Sequence, residues 1–97
     1  MFLDDSDKHV LLEIKEKSSS ALGTALREEE VKVIAEICRD IDSLILCKDV
    51  GIYESHKDAA KSHIFELAMI LEVSTNTYIR NTVLPLIDKL TDDLLDR

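Results

Sequence analysis

The residues of this chain that could do chemistry are few and stand apart. Cys38 and Cys47 lie nine residues apart on one periodic apolar segment. On a helix that spacing separates them by about 13.5 Å along the axis and turns them to opposite faces. A mutual disulfide within that helix is thereby excluded. Cys38 falls on the apolar line and is expected to act as a small core side chain, with Cys47 exposed near the helix end. His56 and His63, seven residues apart, share a helix face but sit about 10 Å apart, too far to ligate one ion together. Glu66 is three residues beyond His63 and forms a local pairing option, while His9 stands alone. No zinc-type Cys/His spacing, G-x-S-x-G elbow, Gly-rich phosphate loop or metalloprotease motif occurs. With two glycines in all, anion-cradling loops are hard to build. The expectation is a non-enzymatic protein without cofactor or metal.

Two clusters call for a partner instead. Asp88, Asp92, Asp93 and Asp96 crowd the last turns of the final helical segment. There they form like-charge pairs at i, i+4 and sit at the negative end of the helix dipole, each misplacement costing a few tenths of a kcal/mol. A basic surface meeting them would explain the arrangement, with Leu94 and Leu95 as apolar anchors. The second cluster is Ile64, Phe65, Leu67, Ala68, Met69, Ile70 and Leu71. These cover well over half of a helix circumference, whereas a surface helix needs a stripe only about 100° wide. The helix is therefore either central in the bundle or covered in part by another chain. Ile64, Met69 and Ile70 are its candidate partner contacts, and a homo-oligomer such as a homodimer is the expected consequence.

Residues 68–80, running Ala-Met-Ile-Leu-Glu-Val-Ser-Thr-Asn-Thr-Tyr-Ile-Arg, resemble a helix-turn-helix. The resemblance covers 13 of the 97 residues and implies structural roles for Ala68, Val73 and Ser74. It would place Thr75, Asn76, Thr77 and Arg80 toward the major groove. The chain departs from that pattern at the turn glycine, which is Glu72, and at the apolar position closing the second helix, which is Asn81. DNA binding by a transcriptional regulator through residues 75–80 is the alternative reading.

The elements that must position these residues are helices, because three- and four-residue apolar steps dominate and strand-like alternation is absent. Leu11, Ile14, Ser18, Ala21 and Ala25 mark helix 1, with Asp4, Asp5, Ser6 or Asp7 as its cap. Its end falls near Ser18 or near Leu26, since Ser18, Ser19, Ser20 and Gly23 weaken it. Helix 2 is expected over 27–49, with Val31, Ile34, Cys38, Ile41 and Ile45 inward and Glu28, Glu29 and Glu30 on the positive end of the dipole. Lys48 and Gly51 signal its C-terminal stop. Helix 3 is expected after Ser55, which with Asp58 makes a variant capping box, and runs to about Val73. Helix 4 carries Ile79, Val83, Leu86, Leu90 and Leu94. Pro85 requires either a start near Thr82 or a bend in a helix that starts near Thr77.

Thirty Leu, Ile and Val side chains suffice for one core, so residues 1–97 read as a single all-α domain, a three- to four-helix antiparallel bundle. Twenty acidic against 12 basic side chains give a net charge of -8. No Lys/Arg cluster supplies the basic footprint that nucleic acid or an anionic membrane surface demands. No apolar run reaches the roughly 18 residues of a membrane span, and the acidic first residues are unlike a signal peptide, so a cytoplasmic setting is expected. The sequence thus points to a small acidic protein-binding bundle: an inhibitor, adaptor, immunity or chaperone-like regulatory subunit.

Overall fold

The computed structural model describes residues 3–96. Helix α1 spans Asp5–Ser20 and starts in a reciprocal capping box: Asp4 Oδ1 accepts from the Asp7 backbone N–H at 2.8 Å, and Asp7 Oδ2 from that of Asp4. The serines let it tighten into a 3-10 turn, Ala21–Gly23, before the chain turns away, so it ends between the two positions the sequence offers. Leu11, Ile14, Ser18 and Ala21 are buried as their spacing requires, and Ala25 is exposed.

Helix α2 spans Glu28–Ile45 and buries Val33, Ile34, Ile37, Ile41 and Leu44. That face is rotated from the expected one: Val31 is exposed, while Cys38 and Ile45 flank the core. The rotation follows from α2 packing on both α1 and α3, which demands a face wider than a single 3-4 seam. Arg27 has no side-chain oxygen to cap α2. Glu30 serves instead, its Oε1 accepting from the Arg27 backbone N–H at 2.9 Å and from Arg27 Nε at 3.3 Å.

Helix α3 spans Val50–Leu71, beginning well before Ser55. Asp49 is the cap, its Oδ1 accepting from the Ile52 N–H at 3.1 Å. Gly51 is therefore not a stop; it sits in the first turn, where a Cβ would lie 3.1 Å from that capping oxygen. The extra turns bury Tyr53 and Lys57, and Lys57 pairs with Glu54 at 3.0 Å.

The fourth rod runs from 77 to 94. Asn76 caps it, its Oδ1 accepting from the Ile79 N–H at 3.0 Å. A π turn over Ile79–Val83 precedes α4 (Leu84–Lys89), and a second π turn covers Leu90–Leu94. The first π turn answers the Pro85 problem. Proline lacks an N–H and its ring presses on the carbonyl four residues back. A widened turn, with Leu84 N–H reaching back five residues to the Ile79 carbonyl, relieves that crowding just before the ring. The added residue also keeps Ile79, Val83 and Ile87, at steps of four, on the core side. Ile87 thus takes the place expected of Leu86, which is half-buried.

Cross-helix pairs fix the directions. Lys15 meets Asp42 and Ser19 meets Cys38, so α1 and α2 are antiparallel. Asp40 meets His63 and Cys47 meets His56, so α2 and α3 are antiparallel. The Tyr78 hydroxyl donates to the Lys17 carbonyl at 2.8 Å, setting the start of rod 4 against the end of α1. Rod 4 packs on α1 and α3 and closes a four-helix up-and-down bundle around one core, with α1 and α3 on the diagonal. Among the described residues the structure is all-helical, and no helix is long and apolar enough to cross a membrane.

Candidate protein-binding surface

Helix α3 divides its apolar residues between two jobs. Ile64, Leu67, Ala68 and Leu71 enter the core, and Ile70 packs half-buried at its margin. Phe65, Met69 and Val73 point outward, 62, 55 and 72 % exposed. At steps of four they form one ridge along the helix and its C-terminal turn.

Beside Phe65, α3 and rod 4 enclose an open groove of about 770 Å³. Asp58, Glu66, Asp88, Asp92 and Asp96 line it, against one cation, Lys61. The Lys61 ammonium donates to Asp96 Oδ1 and holds that carboxyl below the ordinary carboxylate range. Three of the four aspartates predicted to meet a partner therefore share one groove, and Asp93 lies exposed on the same rod.

Two corrections apply to the predicted contacts. Ile64 is wholly enclosed, and Leu94 and Leu95, at 4 and 2 % exposure, fill the core below the acidic face. These three hold this chain's own fold together and are not available as anchors for another. The exposed anchors are Met69, Phe65 and Val73. Phe65 and Val73 are legible from their spacing, four residues before and four after Met69. Glu66, Asp58 and Lys61 join the surface only through the packing of α3 on rod 4.

The residues assigned to DNA contact are divided. The Asn76 side chain is consumed by its cap and by donating to Thr24 Oγ1 (2.9 Å) and the Ala25 carbonyl (3.2 Å). Arg80 Nη1 donates to the Glu72 and Ser74 carbonyls at 3.1 and 3.2 Å. Thr75 and Thr77 are exposed.

A second cleft, about 400 Å³, runs between α2 and α3 past Asp40, His56 and His63. His63 Nδ1 meets Asp40 Oδ2 at 2.5 Å, so its partner lies on α2, not at Glu66. Cys47 is buried, with Sγ 3.2 Å from the Ser43 carbonyl and 3.6 Å from His56 Nδ1. This reverses the expected exposure of Cys47. Cys38 packs half-buried against the core, its sulfur 3.4 Å from the Ser19 hydroxyl. Among the described residues no three His, Cys, Asp or Glu side chains converge to hold a metal ion.

The search of protein-family models gives no match, and the searches of curated proteins and of solved structures give none either.

Proposed function

We propose that this protein is a small acidic, non-enzymatic helical bundle that acts by binding another protein, as an inhibitor, adaptor, immunity or chaperone-like subunit does. One observation carries the reading: an exposed apolar ridge, Phe65, Met69 and Val73, runs beside a groove with five carboxylates and a single lysine. Contiguous exposed apolar side chains rimmed by charge are the composition of an interaction surface. Met69 and the margin residue Ile70 supply apolar contact, and Asp88, Asp92, Asp93 and Asp96 supply the charge.

The sign of that charge selects the partner. A second copy of the chain would bring the same carboxylates against these, so a basic heterologous protein fits this face better than a homodimer. Free thiols at Cys38 and Cys47 suit a reducing compartment, and the cytoplasm is the setting this reading adopts.

The test pairs light scattering with retention of proteins from the native cells on immobilised protein. The reading expects a monomer whose retained partner is lost with Asp88→Lys/Asp92→Lys and with Phe65→Ser/Met69→Ser. Identical retention by the wild type and both variants would contradict it.

A further inference from the structure

We propose that the occupant of this surface is a cationic amphipathic helix of the partner, which displaces Lys61 from Asp96 as it docks. The inference rests on the protein-binding reading above and specifies its partner.

The ridge dictates the shape. Phe65 and Val73 are eight residue steps apart with Met69 midway, about 12 Å at the helical rise, or roughly two turns. A ridge of i+4 residues is matched by the groove between the side-chain rows of another helix. An extended segment docks by adding its backbone to a sheet edge or, as a polyproline II helix, in an aromatic-lined groove; the described residues offer no sheet, and Phe65 is the one aromatic lining this groove. A helix satisfies its own backbone hydrogen bonds and brings only side chains, which is what this surface can receive.

Charge dictates the flank. With its apolar stripe on the α3 ridge, a docked helix turns one polar flank toward rod 4, where Asp88, Asp92 and Asp96 line the groove with Asp58 and Glu66 of α3. Lysine or arginine on that flank meets carboxylates across its whole length.

Lys61 already occupies one of those positions. Its ammonium sits on Asp96 as an internal stand-in for the partner's cation. Side-chain exposures of 40 and 58 % leave the pair solvated and readily exchanged. An incoming guanidinium, which can bind a carboxylate through two parallel N–H groups, replaces it.

The experiment uses the full chain and fluorescence anisotropy with three synthetic peptides of about 18 residues, or five turns. One is an amphipathic helix with leucines at i, i+3, i+4 and i+7 and Lys/Arg elsewhere. The second has the same composition scrambled to abolish the apolar face, and the third replaces Lys/Arg with Glu. The expected result is binding of the first at least about tenfold tighter than the second, with no binding of the third. Phe65→Ser/Met69→Ser should weaken the first peptide about tenfold or more at unchanged melting temperature. Lys61→Gln should tighten it about two- to threefold, since removing the competing cation frees Asp96. Equal affinity for the scrambled peptide, or indifference to Phe65→Ser/Met69→Ser, overturns the helix. Unchanged or weaker binding by Lys61→Gln overturns the displacement. If a cellular partner is lost with the groove variants while the patterned and scrambled peptides bind alike, this inference fails and the protein-binding reading stands.

Discussion

The side-chain amide of Asn76 donates to the hydroxyl of Thr24 at 2.9 Å, joining residues 52 positions apart in the chain. The same amide reaches the Ala25 carbonyl, while its oxygen caps rod 4 at Ile79. One side chain therefore holds the start of the last helix against the connection between α1 and α2. Asn76→Ala removes a cap and two tertiary hydrogen bonds, and should cost about 1–3 kcal/mol in urea unfolding. Asn76→Asp keeps the cap but loses the donor, and should fall between the two.

Glu30 makes stability depend on acid pH. Its buried carboxylate is held below the ordinary value of 4.5, first by the Ser74 hydroxyl and then by the Arg27 backbone N–H, with burial opposing. A depressed folded-state pKa means that protonation favours the unfolded chain. This contribution is complete above pH 4.5 and is lost as pH falls through the folded-state pKa below it. Urea midpoints between about pH 7 and 3 should fall less steeply at the acid end for Glu30→Gln than for the wild type. At neutral pH Glu30→Gln should itself cost about 1–3 kcal/mol.

The start of α3 can be located by substitution. Asp49→Ala should cost about 0.5–2 kcal/mol as an N-cap loss. Ser55→Ala, on the exposed face inside the helix, should stay within about 0.5 kcal/mol of wild type. The reverse order would restore the later helix start.

Much of this architecture is legible in the sequence, because apolar steps of three and four recur in four blocks separated by polar or glycine-containing breaks. What was not legible has identifiable causes. Gly51 reads as a helix stop, but beside Asp49 it sits within a first turn, where backbone N–H groups need no intrahelical partner. Pro85 reads as a break, yet a π turn, for which periodicity has no signal, absorbs it and shifts burial from Leu86 to Ile87. The aspartates around Leu94 and Leu95 make the two leucines read as apolar anchors for a partner. In the structure the π turn over Leu90–Leu94 sets both leucines inward and leaves Asp92 and Asp93 outside. Glu30 reads as an ordinary dipole partner, because the Ser74 hydroxyl that acts on it comes from the loop before rod 4 while Glu30 sits in the first turn of α2.

Core and surface leucine-sized groups should separate cleanly. Leu94→Ala should destabilise the fold by about 2–5 kcal/mol, through lost burial and the cavity left behind. Phe65→Ser should stay within about 0.5 kcal/mol of wild type, because the ring contributes little to the chain's own core. Chemical denaturation of the two variants side by side checks both values.

Photo-crosslinking in the native cells tests the binding surface most directly, with a photoreactive residue at Met69 and, as a control, at Glu16 on the diagonally opposite helix. The account predicts a discrete crosslinked protein from position 69, absent from position 16 and lost when Asp88→Lys/Asp92→Lys is added. No adduct at position 69, or the same adduct from both positions, would contradict it.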